Sequence, residues 1–137
     1  TTGGDTPEKV VGPEVGGEAY VGILTRLFNM YIRRGVPVYF GEFGAVRRAS
    51  KADEEFRLYY FRYICKAMRD RRISALYWDN GNSKAGNDGF GVIDHATGRF
   101  IGNGEQAVRA MIDSWENNDP NYTLQSIYDS APESSRK

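Results

Sequence analysis

The stretch VPVYFGEFGAV, Val36 to Val46, decides how this chain folds. Its apolar residues lead to a single carboxylate, Glu42, which stands between Gly41 and Gly44. An apolar run of about six residues that is bounded by turn-forming residues is typical of a β-strand. We therefore predict a strand over Val36 to Gly41, with Glu42 at its carboxyl end.

A second apolar run, ISALYW, covers Ile73 to Trp78 and predicts a second strand. Neither run alternates cleanly between apolar and polar residues. Continuous apolar strands are typical of parallel sheets that helices cover on both faces. We therefore expect both strands to be buried on both sides.

Three amphipathic helices surround these strands in the sequence. Their apolar residues recur at the i, i+3, i+4 and i+7 spacing of one helix face. The three sets are Tyr20, Ile23, Leu24, Leu27, Phe28, Tyr31 and Ile32; Phe56, Tyr59, Tyr60, Tyr63, Ile64, Ala67 and Met68; and Ala107, Val108, Ala110, Met111, Ile112 and Trp115. Asn103 is the predicted N-cap of the third helix, and Gly35 is the predicted end of the first. The order αβαβα indicates an α/β fold with parallel strands and right-handed crossovers.

The composition limits the classes of function. The chain has 137 residues, of which 40% are apolar and 13% aromatic, as in a globular domain. With 18 basic and 18 acidic residues it carries no formal net charge. Such a chain lacks the field that attracts nucleic acid or an anionic membrane, so we expect neither as a partner. No apolar run approaches the ~18 residues of a membrane span, and the single cysteine, Cys65, cannot form an internal disulfide.

The strand ends are where we expect the chemistry of a parallel α/β fold. Glu42 ends the first strand, and Trp78 and Asn80 lie at the end of the second. Period-two geometry would give Phe40 the same face as Glu42. A carboxylate, an indole and an amide at one rim suit a sugar, because pyranose rings stack their apolar C–H faces on indoles.

Each of these residues also has a plainer interpretation. Glu42 fits equally well as the cap of the following helix, and Trp78 fits equally well as a core residue. Asp79 and Asn80 can build a turn, which is the interpretation we favour for Asp79. His95 fits a loop turn. Because the chain has no second histidine and no zinc-type Cys/His spacing, we expect no metal and no cofactor.

Three motifs, in this order, resemble glycoside hydrolase family 5, the cellulase family. They are PVYFGEFGAV (Pro37 to Val46), ALYWDNG (Ala75 to Gly81) and GFGVIDHATG (Gly89 to Gly98), and the tail YTLQSIYDSAP (Tyr122 to Pro132) is similar as well. The resemblance is to the endo-β-1,4-glucanase and xyloglucanase branch of gut and rumen bacteria. It implies the C-terminal portion of a (β/α)8 TIM barrel, with the last two strands and the last three helices. Residues 1–117 would belong to the barrel, and residues 118–137 to a tail that packs on it.

The resemblance also implies roles in a retaining, endo-acting β-1,4-glucan hydrolase. Glu42 matches the family's nucleophile. Trp78 matches the indole beneath the sugar under attack, which is often followed by a cis peptide bond. Asn80 matches a position on the glycone side of the cleft. Phe90 lies in the long loop after the second strand, where we expect it to bind substrate.

In such a barrel Val38, Phe40 and Leu76 would face the interior. A retaining mechanism also needs a second carboxyl group ~5–5.5 Å from the first, to act as acid and then as base. The family's Asn-Glu-Pro motif that supplies this group is absent from the 137 residues. The remaining glutamates that we considered are expected on loops or solvated helix faces: Glu14, Glu18, Glu54, Glu55 and Glu105.

We therefore expect this chain to be a piece of the enzyme, with two partners. One is a β-glucan polysaccharide, and the other is the N-terminal segment of the same enzyme. The family implies a secreted, periplasmic or cell-surface location. The alternative is a non-catalytic glucan-binding fragment that keeps the Trp78 platform. An aldolase-type barrel would place a lysine at a strand end, and neither predicted strand ends in one.

Overall fold

The computed structural model of the chain describes residues 17–86 and 88–132. The elements in chain order are helix α1 (Gly17–Met30), a 3-10 turn (Ile32–Arg34), strand β1 (Tyr39–Phe43), helix α2 (Lys51–Asp70), strand β2 (Ser74–Tyr77), helix α3 (Gly104–Glu116) and helix α4 (Leu124–Asp129). All three predicted helices and both predicted strands are present. Glu14 lies outside the described residues.

The two strands pair in parallel, which confirms the predicted α/β class. Tyr39 pairs with Ser74 and Phe40 with Ala75. Strand β1 begins three residues later than predicted, because the N–H of Val36 donates to Tyr31 O at 3.1 Å and so belongs to the turn that closes the first helical segment. Strand β1 also ends later than predicted, at Phe43, so Glu42 lies inside β1 and does not follow it.

A β-bulge interrupts β1 at Gly41 and Glu42. Phe40 pairs with Ala75, but the next pair is Phe43 with Tyr77, so β1 has one more residue than β2 between the two pairs. Phe40 and Phe43 both pack against the helical core in spite of their odd spacing. The period-two expectation for β1 therefore fails. Phe40, and with it Val38, packs on the helices and was wrongly predicted to face a barrel interior.

Helix α2 is the centre of the structure and contacts α1, α3, α4 and β2. Ser50 caps it, and the Ser50 hydroxyl accepts the N–H of Asp53 at 3.0 Å. Tyr59 and Phe61 have no exposed surface. The Phe61 ring meets the Tyr77 ring edge-on, with 5.6 Å between centroids, so the helix holds β2 through an aromatic contact.

The predicted helix ends are correct in position and partly correct in mechanism. Gly35 adopts a positive φ of 83° and ends the 3-10 turn after α1. Asn103 stands at the N-cap of α3, but its side chain makes no capping hydrogen bond. Its amide donates instead to Glu54 Oε2 at 2.6 Å. The capping prediction for Asn103 is wrong in mechanism: Oδ1, the atom that would accept a helix N–H, is buried without a hydrogen-bond partner, while Nδ2 is held by Glu54.

The second face of the sheet carries exposed apolar side chains. Tyr39 is 71% exposed, Leu76 62% and Trp78 47%. Nothing in the described ranges covers that side, as an incomplete barrel would leave it, so burial of the strands on both faces stays a prediction for the intact fold. Leu76 does point away from the helices, as predicted.

The residues after α3 pack back onto the helices. Tyr122 donates its hydroxyl to Ser114 Oγ at 3.0 Å, and Ile127 of α4 is 2% exposed. The proposed division at residue 117 stays a prediction. None of the helices in the described part of the chain has the length and apolar character that crossing a bilayer requires.

Candidate functional site

Glu42 and Trp78 lie at adjacent strand ends. The N–H of Trp78 donates to the carbonyl oxygen of Phe43, the residue after Glu42, at 2.8 Å. Glu42 is exposed, and no group in the described ranges hydrogen-bonds or ion-pairs with its carboxylate. Because Ser50 caps α2, the capping interpretation of Glu42 is wrong. Trp78 is 47% exposed, so it is not part of the core that the described residues form, and its interpretation as a core residue of the intact fold stays open.

Phe90 lies against the segment that follows Glu42. A Cβ atom on Gly44 would come within 3.1 Å of the Phe90 ring and 3.6 Å of the Tyr77 ring. Glycine at this position therefore lets the Phe90 ring approach the backbone closely. The half-buried Phe90 forms an apolar wall next to the strand end.

Asn80 uses its side chain within the loop that follows β2. Its Nδ2 donates to Asp88 O at 2.8 Å and to Asp88 Oδ1 at 2.9 Å. Its Oδ1 accepts the N–H of Asn82 at 3.1 Å, which confirms the turn interpretation. A role of Asn80 in binding substrate stays a prediction.

Asp79 closes the long loop. Its Oδ1 accepts the N–H of Gly81 at 2.8 Å, which confirms the predicted turn. Its Oδ2 accepts the N–H groups of Val92 at 3.3 Å and Ile93 at 3.1 Å, so one carboxylate joins both ends of the loop. His95 Nε2 stands 3.4 Å from Oδ1, with its side chain 59% exposed. The described residues contain no cis peptide bond, so the implied cis bond after Trp78 is not found.

A buried ion pair on helix α2 contacts the backbone next to the strand ends. The Arg57 side chain is 0% exposed, and its Nη1 lies 3.3 Å from Glu54 Oε2. Its Nε donates to Ala45 O at 3.0 Å. Glu54, predicted on a solvated face, is 9% exposed, because its carboxylate also accepts the N–H of Arg48. The signal for this pair is a charge within the aromatic run FRLYYF of α2.

Tyr77 extends this network to the loop. Its hydroxyl accepts from Arg57 Nη2 at 3.3 Å and donates to Phe90 O at 2.6 Å. Burial raises the pKa of Tyr77, an effect that the neighbouring Arg57 partly opposes. The hydroxyl therefore keeps its proton at neutral pH and remains a donor.

No cluster of potential metal ligands, with three or more histidine, cysteine or acidic side chains, occurs within residues 17–86 and 88–132. The absence of a metal or cofactor requirement stays a prediction. The candidate site is therefore described by Glu42, Trp78 and the loop residues around them.

Comparison with characterised proteins identifies relatives of this chain, although no family model matches it. The structure of a native Bacteroidetes-affiliated family 5 cellulase linked with a polysaccharide utilization locus is 96% identical, with a TM-score of 0.87, over 91% of this chain and 35% of that one. A broad-specificity endoglucanase of family 5, subfamily 4, from Bacteroides salanitronis is 32% identical, with a TM-score of 0.70, over 75% of this chain and 27% of that one. Endoglucanase A of Ruminococcus albus is 34% identical over 77 residues, 56% of this chain and 21% of that protein.

The chain thus spans about a third of the length of the solved cellulase, which it matches at 35% coverage. Its parallel strands carry the motifs around Glu42 and Trp78 at neighbouring ends, joined by a backbone hydrogen bond. Sequence near-identity and fold similarity extend together over almost all of the chain. This chain belongs to glycoside hydrolase family 5.

Proposed function

We propose that the chain supplies the nucleophile of a retaining, endo-acting β-1,4-glucan hydrolase. The observation that carries this proposal is the hydrogen bond from Trp78 N–H to Phe43 O, which fixes an exposed indole beside the strand end that carries Glu42. The near-identity to a solved family 5 cellulase supports the substrate class. In this proposal the chain is the C-terminal portion of a (β/α)8 barrel.

The chemistry is a double displacement. A glucan lies across the rim, with one sugar ring stacked on Trp78. The Glu42 carboxylate attacks the anomeric carbon while a carboxylic acid outside this chain protonates the departing glycosidic oxygen. A glycosyl ester forms on Glu42. The second carboxylate then takes a proton from water, and the water oxygen attacks the anomeric carbon. The bond between that carbon and Glu42 breaks, which restores the Glu42 carboxylate, and the sugar leaves with its original configuration.

The loop after β2 shapes the cleft in this proposal. Phe90 presents an apolar wall, and Asn80 presents a carbonyl oxygen. Both N–H groups of the Asn80 amide are engaged with Asp88, whereas its Oδ1 accepts one bond and has a second lone pair. Asn80 would therefore accept a hydrogen bond from a sugar hydroxyl and would not donate one.

The partner is the N-terminal segment of the same enzyme, which would bring the acid/base glutamate. The exposed sheet face supports this partner, and so does an apolar groove of about 270 Å³ lined by Met68, Ala75, Met111 and Trp115, among others. Further strands and helices of a barrel would cover both surfaces. The resemblance to family 5 cellulases supports a secreted, periplasmic or cell-surface location, where a polysaccharide substrate is accessible.

A chimera tests the proposal. The matching segment of the 96%-identical cellulase is replaced by this chain, and hydrolysis of carboxymethylcellulose and xyloglucan is measured. Glu42→Gln should abolish turnover, whereas Glu55→Gln, at an exposed position of α2, should not. A 2-deoxy-2-fluoro glycoside should label Glu42 covalently, as peptide mass spectrometry would show. Full activity of the Glu42→Gln chimera would refute the nucleophile assignment.

A non-catalytic glucan-binding fragment is the alternative, and the exposed indole of Trp78 favours it. It predicts that Trp78→Ala removes glucan binding and that Glu42→Gln leaves binding unchanged. Affinity electrophoresis in glucan-containing gels distinguishes the two functions when it is combined with the activity assay.

A further inference from the structure

One guanidinium group connects the two strand ends of the candidate site. Arg57 Nε donates to Ala45 O at 3.0 Å, and Ala45 follows the Glu42 bulge closely. Arg57 Nη2 donates to Tyr77 Oη at 3.3 Å, at the end of the neighbouring strand. The guanidinium has a fixed planar geometry, so these two bonds set the distance and orientation between the strand ends.

The ion pair with Glu54 keeps the guanidinium in place. Glu54 Oε2 lies 3.3 Å from Arg57 Nη1 and also accepts from the Asn103 amide at 2.6 Å. Glu54 Oε1 accepts the N–H of Arg48 at 2.5 Å. The segment from Ala45 to Arg48 is therefore held at one end by a cation and at the other end by its counter-ion.

The Nη2 group of Arg57 is connected to the loop through the hydroxyl group of Tyr77. The Tyr77 hydroxyl has one hydrogen, and the bond it accepts from Arg57 leaves that hydrogen for Phe90 O at 2.6 Å. The Phe90 ring in turn lies against Gly44, two residues after Glu42. Arg57 thus fixes the wall of the site as well as its strand end.

We infer that Arg57 is a positioning residue, which aligns the Glu42 strand end with the Phe90 wall without contacting the substrate. The inference rests on the proposed function of Glu42. Misplacement of a reacting group by about 1 Å costs on the order of 100-fold in rate. Loss of the guanidinium geometry should therefore slow formation of the glycosyl ester, while sugar binding on Trp78 changes less.

The experiment compares Arg57→Lys, Tyr77→Phe and a control, Lys66→Met, in the chimera with the solved cellulase. Lysine keeps a cation for Glu54 but lacks the planar fork. Lys66 is a suitable control because it is another buried cation of α2, with its side chain 10% exposed, and it is paired with Asp70 at 2.7 Å, away from the strand ends. The readouts are kcat, KM and the rate of covalent labelling by a 2-deoxy-2-fluoro glycoside, at a temperature where circular dichroism shows every variant folded.

We expect Arg57→Lys to lower kcat and the labelling rate about 10- to 100-fold with KM changed less than about threefold. Tyr77→Phe should lower both rates less, and Lys66→Met should affect only the melting temperature. Rates within about twofold of the parent chimera in both Arg57→Lys and Tyr77→Phe would overturn the positioning role. If Arg57→Lys does not fold, the kcat and the labelling rate of Tyr77→Phe alone test the positioning role. A parent chimera that is not labelled at Glu42 would refute the proposed function instead.

Discussion

The two faces of the β1–β2 sheet differ in how completely other residues of this chain cover them. On the helix face, the Phe43 and Phe61 rings meet Tyr77 edge-on at 5.8 and 5.6 Å, and each of the three guanidinium nitrogens of Arg57 donates a hydrogen bond. On the opposite face, Leu76 and Trp78 remain exposed. The helix face thus supplies stability from this chain alone, whereas the opposite face depends on further polypeptide or on substrate.

The largest effect on stability is expected on the helix face. Phe61 has no exposed surface and lies 5.6 Å from the Tyr77 ring and 5.3 Å below the Arg57 guanidinium. Phe61→Ala should destabilise the chimera by about 3–5 kcal/mol, through lost burial and a cavity. Urea unfolding measures this change. A loss below about 1 kcal/mol would show that the face is not closely packed.

Leu76 tests the opposite face. The side chain is 62% exposed in this chain, so Leu76→Ala would cost little if that face stayed open. If a barrel interior covers it, the same change should cost about 2–4 kcal/mol in the chimera. The urea midpoints of Leu76→Ala and the parent chimera show whether this face is covered. A cost near zero would contradict the barrel.

Two glycines test how tightly the helices themselves are packed. A Cβ on Gly104 would come within 2.1 Å of Val92 O, so Gly104→Ala should destabilise by about 1–3 kcal/mol. Gly22 has nothing within 4 Å of such an atom and lies within α1. Gly22→Ala should therefore stabilise by about 0.5–1 kcal/mol. Thermal unfolding of the two variant chimeras shows whether each substitution lowers or raises the stability. Changes in the same direction would contradict this packing.

The smallest effect concerns Cys65 at alkaline pH. Burial raises the pKa of the Cys65 thiol from 9.0 to about 12. The folded state then holds its proton after the unfolded state has lost it, so this contribution to stability is complete below pH 9.0 and declines as pH rises toward 12. Cys65→Ala should remove about 1 kcal/mol of the decline at pH 10. Urea titrations at pH 8 and 10 measure it, and parallel declines in parent and variant would refute the effect.

Helices and strands were predicted correctly from the sequence where the spacing of the apolar residues is regular and uninterrupted. The apolar spacing of Phe56, Tyr60 and Met68 lies within α2, and the strand order with helical crossovers gave the parallel pairing. Motif resemblance then indicated Glu42 and Trp78 as candidates, and the structure brings their strand ends together.

The failures share a physical cause, since each depends on contacts that the local pattern does not contain. The bulge at Glu42 breaks the period of two, so alternation assigned Phe40 to the wrong face. Glu54 and Arg57 look like surface residues on a helix. Their burial depends on Ala45 and Tyr77, which are twelve and twenty positions from Arg57.

The carboxylate of Asp79 joins Gly81 at the start of the long loop to Val92 and Ile93 at its end. Because this one side chain closes the loop at its base, residues between the two anchor points can be exchanged or inserted without disturbing either strand. Evolution and protein engineers alike therefore have a segment in which substrate preference can diverge while the scaffold beneath it is inherited unchanged.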